Sequence, residues 1–386
     1  MAKINPLELK TELQCSGAKV ASSVQVQIET ITGLEKASTL QIERASGAGP
    51  SGGKYILLPS EACLEVPMVQ RFTRFSPYIL KSDEKEWFIE KEESGLRLLI
   101  RFVPQPHFYC KYTSKGVPMY KVALLHGVDC LATTVNPACH YWRIGKPCKF
   151  CGIEVPLRTG RSIGRKDPNQ FVEVLDEALK ERVCRHITLT SGTRGTPDKG
   201  ALDYVHFVKT IKEFADVPTY VQVPPPKDFK YLDLLADAGV DSIGIHAESF
   251  DEKILKEICP GKFADANLER YFEAWRYCVR LFGENQVSTF ILIGLGESDS
   301  VILNGTEKLA QIGVITFLAP HIPVLGSTLE NSTPPSPRRM LRLYRSAAEI
   351  MKTYGLNPSK IKAGCTVCSA CGGLQDSFYK DFEIKM

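Results

Sequence analysis

Apolar and polar positions follow two different rhythms along this chain. Up to about residue 120, runs such as KYILLPS, SPYILKSDEKEWFIEKEES and LRLLIRFVP are bounded by Gly, Ser and Pro, the pattern of strands joined by turns. A β-rich N-terminal domain is expected over 1–120. After Tyr120 the rhythm changes. Short apolar strands (VALLHGVDCLATTV, HITLTSG, TYVQVPPP, SIGIHAES, VSTFILIGLG and VITFLAPHIP) alternate with stretches whose apolar residues recur every three or four positions. These helical stretches include NQFVEVLDEALKERV, ALDYVHFVKTIKEFA, FKYLDLLADAG and ANLERYFEAWRYCVRLFG. Repeated βα units bring parallel strands together, and six of them suit an open barrel better than a closed one of about eight strands. The predicted class is therefore α/β, a partial (βα)6 TIM-type barrel over 121–330. A Pro- and Ser-rich turn, the helix RRMLRLYRSAAEIMKTYG and a Cys-rich tail follow over 331–386. In such a barrel, ligands bind where loops leave the C-terminal ends of the strands.

Composition narrows the function classes. The chain has 386 residues, 44% hydrophobic and 24% charged, enough to bury a large core, which excludes disordered and fibrous classes. Its longest apolar runs, such as Phe290–Leu295, fall far short of the ~18 residues a bilayer span needs. The start MAKINPLELKTELQ is charged and lacks a hydrophobic signal core. A cytoplasmic protein with no membrane partner is expected. A net charge of +4 is too mild for a nucleic-acid footprint, so no nucleic-acid partner is expected. The segment GAGPSGGKY resembles a phosphate loop only superficially, because Gly53 stands where the lysine belongs, and it reads as a turn.

Thirteen cysteines change the picture most. Without an export signal, disulfides are an unfavoured use for them, which leaves metal binding, a reactive thiol or core packing. Cys15, Cys63, Cys110, Cys130, Cys184, Cys259 and Cys278 stand alone and read as small hydrophobes. The rest form two groups. Cys139, Cys148 and Cys151 follow the first barrel strand in ACHYWRIGKPCKFCGIE and so converge on a loop at the catalytic mouth. Their donor types allow a zinc site with His140 as fourth ligand. They equally allow an iron–sulfur cluster whose fourth iron stays free for a ligand, and the position at the mouth favours the cluster. Cys365, Cys368 and Cys371 have C-x2-C-x2-C spacing, a ferredoxin-like metal signal. An auxiliary iron–sulfur cluster, a zinc knuckle and a redox thiol tail all fit, with the cluster preferred on ligand softness. Cys130, Cys110 and His140 are candidates for its fourth ligand, and an open iron is the other option.

The ending Cys-Lys-Phe-Cys, with Phe150 before the last cysteine, resembles the cluster loop of radical S-adenosylmethionine (SAM) enzymes. That superfamily usually places three residues between its first two cysteines, where this chain places eight. Further strands carry the likeness. Thr190, Ser191, Gly192 and Thr193 are similar to the Gly-Gly-Glu edge that receives the methionine amino group, without the glutamate. GIHAESF resembles the ribose-binding strand of lipoyl and biotin synthases and puts Glu248 there. FILIGLGES is similar to the adenine segment, keeping Gly294 and Glu297 while Phe290 replaces the first glycine. FLAPHIPVLGSTLE, with Pro323, is similar to the biotin synthase stretch that packs on adenine. HGVDCLATTV, NQVSTFILIGLG and IKAGCTVCSAC resemble a radical SAM family encoded beside nitrilases in bacterial operons, over about Leu98 to Gly372.

The resemblance implies a [4Fe-4S] cluster on Cys139, Cys148 and Cys151 that binds SAM and cleaves it to a 5′-deoxyadenosyl radical for C–H activation. It also implies an electron donor such as ferredoxin or flavodoxin and a small-molecule or protein-bound substrate, with sulfur insertion from the auxiliary cluster as one reaction class. The basic stretch Arg143–Lys166 either offsets cluster charge or is a solvated loop. His186, His246 and His321 read as satisfied barrel histidines, and Tyr141 and Trp142 as caps or packing. A zinc-dependent barrel hydrolase and a non-catalytic iron–sulfur electron carrier are the rival functions.

Overall fold

The computed structural model describes residues 3–21, 24, 52–83, 86–378 and 384–385. The GAGPSGGKY segment lies outside the described residues up to Ser51. A short strand β1 (Lys3–Ile4) leads into helix α1 (Pro6–Ser16), which the strand-like reading of this region did not anticipate. Asn5 caps the helix by accepting hydrogen bonds from the Leu7 and Glu8 amides, Pro6 occupies the first turn, and Gly17 ends it at φ 64. Its sequence hides it because the buried face mixes Leu7, Leu9 and Leu13 with Lys10, Thr11 and Gln14.

Six strands then form one sheet in the order β2-β5-β6-β7-β3-β4. They are β2 (Lys19–Val20), β3 (Gly53–Leu57), β4 (Cys63–Pro67), β5 (Tyr78–Ser82), β6 (Trp87–Lys91) and β7 (Leu96–Phe102). All neighbours are antiparallel except β2 and β5. Leu9 and Leu13 of α1 cover it, closing a separate core with Ile56, Leu64, Val66, Leu80, Ile89 and Ile100.

The second sheet has seven strands. These are β8 (Leu124–His126), β9 (Cys130–Thr134), β10 (His186–Thr190), β11 (Thr219–Gln222), β12 (Ser242–Gly244), β13 (Val287–Ile293) and β14 (Ile315–Pro320), hydrogen-bonded in chain order. Strands β9 to β14 are parallel, the six the βα repeats call for, and they make a partial barrel. The single strand expected over VALLHGVDCLATTV is instead a hairpin. Gly127 adopts φ 63 and turns the chain, so β8 runs antiparallel to β9. Helices α2 (Pro168–Lys180), α3 (Ala201–Phe214), α4 (Lys230–Asp237), α5 (Leu268–Phe282), α6 (Asp299–Ala310) and α7 (Pro337–Thr353) follow the parallel strands. Ile187, Leu189, Val221 and Ile243 face these helices and share one core with Phe171, Phe207, Leu232 and Trp275.

Alternate strand residues face the bore. Tyr220 and Ser288 join hydroxyls there at 2.9 Å, His246 and Phe290 rings lie 4.7 Å apart, and so do Phe290 and Phe317. After α7 the chain enters this space. A Cβ on Gly364 would lie 2.6 Å from the Tyr220 ring and one on Gly372 2.8 Å from the Leu318 carbonyl oxygen, so two glycines let the tail lie against the sheet. The N-terminal region clamps it from outside. Lys10 Nζ donates to the Ser369 carbonyl (2.8 Å) and pairs with Asp376 (2.7 Å), while Gln14 Nε2 donates to the Ala370 carbonyl (2.9 Å). Strand β15 (Ile384–Lys385) pairs with β1. Among the described residues, no helix is long and apolar enough to cross a membrane.

Candidate functional site

The loop carrying Cys139, Cys148 and Cys151 leaves the C-terminal end of β9 and docks on its neighbours. Cys139 caps a single helical turn over His140–Arg143, and its amide donates to Glu154 at 3.0 Å. Gly192 is needed opposite, because a Cβ there would sit 2.5 Å from the Ala138 carbonyl oxygen. The edge Thr190 to Thr193 is stitched to this loop: Thr190 and Thr193 carbonyls accept from Val135 and His140 amides at 2.8 Å each. Ser191 donates to the Asn136 carbonyl at 3.1 Å.

The cysteine loop, insert included, packs on the segment after β12. Lys149 donates its amide to the Ile258 carbonyl, and Gly261 admits the Tyr141 ring and the Lys146 carbonyl. The Cys151 amide closes a turn on the Cys148 carbonyl at 3.0 Å. Cys148 shares a hydrogen bond with Cys259, and this bond and burial lift its thiol well above the usual range. Burial also pushes Cys139 up. Metal binding at such thiols must displace their protons.

Beside them lies a largely buried ion pair. Glu248, in left-handed backbone at φ 72, holds Lys262 Nζ at 2.7 Å, and Lys262 also donates to the His246 carbonyl at 2.8 Å. Burial disfavours the Lys262 charge, but the Glu248 carboxylate more than offsets this and keeps it protonated far up the pH scale. On the other flank, Glu297 is 4% exposed and accepts from the Gly294 (2.8 Å) and Leu295 (3.0 Å) amides, closing the loop after β13. Pro323 follows β14, where Val324 abuts Gly152 of the cysteine loop. Phe150 is half-buried within that loop.

The basic stretch is largely paired. Arg158 meets Glu154 and lies over the Trp142 ring, Arg165 meets Asp203, and Lys149 meets Glu257. Lys166 is buried, donates to the Thr134 carbonyl (2.8 Å) and Ser162 (3.1 Å), and burial lowers it to about 7.

Cys365, Cys368 and Cys371 line the bore's other side, near the beginnings of β9 and β10. Gln222 Nε2 donates to Cys365 Sγ at 3.5 Å, and the Gly364 amide donates to His186 Nδ1 at 3.3 Å. Cys130 packs against Cys368, and Cys63 shares a pocket with Tyr55, Ala370 and Cys368. Burial lifts the Cys368 thiol well above its usual range. Of the expected fourth-ligand candidates only Cys130 is here. Cys110 is exposed on the turn His107–Cys110, and His140 packs on Gly195 at the first loop. Among the described residues, no three His, Cys, Asp or Glu side chains close on one point as they would around a single ion. The donor chemistry, one set of three thiols on the loop after β9 and a second on the tail against the sheet, fits thiolate-bound iron.

The sequence reading had not singled out Cys259 as a partner of Cys148, nor Lys262, Gln222, Tyr55 or His126. Only His126 carried a signal, as the first residue of HGVDCLATTV.

Residues 142–304 match the family described as Radical SAM superfamily. The chain is 25% identical over 261 residues to the bacteriochlorophyllide c C-7(1)-hydroxylase of Chlorobaculum limnaeum, covering 62% of this chain and 64% of the hydroxylase. It is 26% identical over 172 residues to the lipoyl synthase of Marinobacter nauticus, covering 44% of this chain and 47% of the synthase. It thus spans less than two thirds of each of these relatives. Among solved structures, a radical SAM methyltransferase from Sphaerobacter thermophilus superposes with a TM-score of 0.45 at 15% identity, over 77% of this chain and 80% of that one. Methylornithine synthase gives a TM-score of 0.46 at 17% identity, over 59% and 63%.

Proposed function

We propose, from the premise that this chain is an enzyme of the radical SAM superfamily, that it cleaves SAM reductively and activates a C–H bond of a small-molecule or protein-bound substrate held in the barrel bore. Cys139, Cys148 and Cys151 would hold a [4Fe-4S] cluster, and Cys365, Cys368 and Cys371 an auxiliary one. When bound, the first cluster would supply the one electron that breaks the S–C5′ bond of SAM into methionine and a 5′-deoxyadenosyl radical.

The chain's own residues orient and shield that chemistry. Phe150 and the Thr190, Ser191, Gly192 and Thr193 edge would receive the methionine end of SAM. Glu248 would meet the ribose, with Lys262 fixing the direction of its carboxylate through a pair 2.7 Å long. The Gly294 and Glu297 loop and Pro323 would bracket the adenine. Tyr220, Phe290 and Phe317 wall the bore against water, which would quench a carbon radical. Under this reading the chain divides into a β-rich domain over 1–120, a catalytic barrel over 121–330 and a cluster-bearing tail over 331–386. The electron comes from a cytoplasmic donor of ferredoxin or flavodoxin type.

The observation that carries the proposal is the pair of cysteine sets facing one bore, with Cys365 bonded to the barrel residue Gln222 at 3.5 Å. This placement supports sulfur insertion, with the auxiliary cluster as sulfur source. Anaerobically reconstituted protein should be brown, with about four irons per cysteine set. SAM and a strong reductant should then yield 5′-deoxyadenosine. Cys148→Ala should abolish that release, whereas Cys368→Ala should spare it and stop product formation. Colourless protein, or release that survives Cys148→Ala, would refute the assignment.

A further inference from the structure

We infer that His126 is the fourth protein donor of the C-terminal cysteine site, making it a Cys3His set; this rests on reading that site as metal-binding. The imidazole stands between two of the three thiols. Its Nδ1 lies 3.2 Å from Cys368 Sγ and its Nε2 3.7 Å from Cys371 Sγ. Neutral imidazole is a natural partner of thiolate in sites for zinc and for iron–sulfur centres.

The surroundings are built to keep it there. His126 ends strand β8 and pairs with Cys130 in the hairpin, so it is carried on sheet rather than loop. The next residue is Gly127, where a Cβ would come within 2.6 Å of Cys368 Sγ, so the tail approaches this backbone as closely as a glycine permits. Tyr55 packs on the imidazole, centroids 5.2 Å apart. From outside, the Ala370 carbonyl is fixed by the Glu65 amide (3.0 Å) and Gln14 Nε2 (2.9 Å).

A second observation points into the same recess. The Tyr55 hydroxyl is buried and has no hydrogen-bond partner, although Tyr55 shares its pocket with Cys63, Ala370 and Cys368. Leaving a buried hydroxyl unpaired is unfavourable, and metal-bound sulfur offers the acceptor it lacks. Cys130 is the rival donor, but its thiol is turned to Thr188 Oγ1 at 3.3 Å.

The test uses the full chain carrying Cys139→Ala, Cys148→Ala and Cys151→Ala, so that only the tail site is loaded. Its reduced iron–sulfur centre, examined by pulsed electron paramagnetic resonance, should show the strong nitrogen hyperfine coupling of directly bound imidazole. That coupling should change on 15N-histidine labelling and vanish in His126→Ala, while Cys130→Ser leaves it intact. If the site takes zinc instead, X-ray absorption should give three sulfurs at about 2.3 Å and one nitrogen at about 2.0 Å. A centre with no bound nitrogen, or four sulfurs reduced to three by Cys130→Ser, would overturn the role of His126 and leave the metal site standing. A tail that takes up neither iron nor zinc would sink both.

Discussion

Gly127→Ala tests how closely the tail is fitted to the barrel. Two effects act at this position and can be separated. Gly127 has φ 63, left-handed backbone in which any L side chain costs roughly 1–2 kcal/mol. The added methyl would also stand 2.6 Å from Cys368 Sγ and 3.6 Å from the Ala370 side chain. Since carbon and sulfur rest near 3.5–4 Å, the sulfur must retreat by about 1 Å, overpacking of a kind that costs roughly 1–3 kcal/mol. Gly116 supplies the control. It has nearly the same backbone, φ 73, and nothing within 4 Å of its Cβ position, so Gly116→Ala should lose only the conformational part. Urea unfolding of both variants should place Gly127→Ala lower by about 1–3 kcal/mol beyond its control. Iron retained at the tail should drop in Gly127→Ala alone. Equal stability and equal iron in the two variants would show that the tail yields freely and that its contact with β8 determines nothing.

The Glu248 and Lys262 pair makes a second case. Glu248→Gln leaves a buried ammonium unpaired and should lower stability by about 3–5 kcal/mol in chemical unfolding, with most of the loss recovered when Lys262→Met is added. Acid should act through His246, half-buried, and His321, buried, since desolvation lowers them to about 3 and about 4. Because the unfolded chain titrates near 6.5, their contribution is whole above that pH and is lost as pH falls toward 4, on the order of 3 kcal/mol for His321; His321→Asn should flatten an acid-unfolding curve in that window, and an unchanged curve would dismiss the effect. Asn5→Ala removes the cap of α1 and should cost about 1 kcal/mol, seen as a lower melting temperature.

The barrel was legible because its signal is long and repetitive: strands such as HITLTSG and helices such as NQFVEVLDEALKERV each show one clear period. Two features escaped for physical reasons. Helix α1 buries Lys10, whose charge is met by Asp376, a partner 366 positions away, so its inward face looks polar in sequence. The β8–β9 hairpin turns at Gly127 inside an otherwise apolar run, and nothing local distinguishes that glycine from one within a strand. The tail cysteines stand out by their C-x2-C-x2-C spacing, and the first three by their place after β9 rather than by spacing, since eight residues separate Cys139 from Cys148. Their neighbours do not, because Cys259 and Lys262 come from the segment after β12, Gln222 from the end of β11 and His126 from β8, stretches that meet the cysteines only once the sheet has closed.

The clamp on the tail bears on the order in which the molecule matures. Cys365, Cys368 and Cys371 are made after every strand of the barrel, yet the groups that grip them, Lys10, Gln14 and Glu65, are made among the first. During synthesis on the ribosome, the barrel mouth can acquire its thiol loop long before the lower recess has any sulfur to offer. The recess is therefore completed last, its three thiols closing onto groups that were in place long before the tail was made.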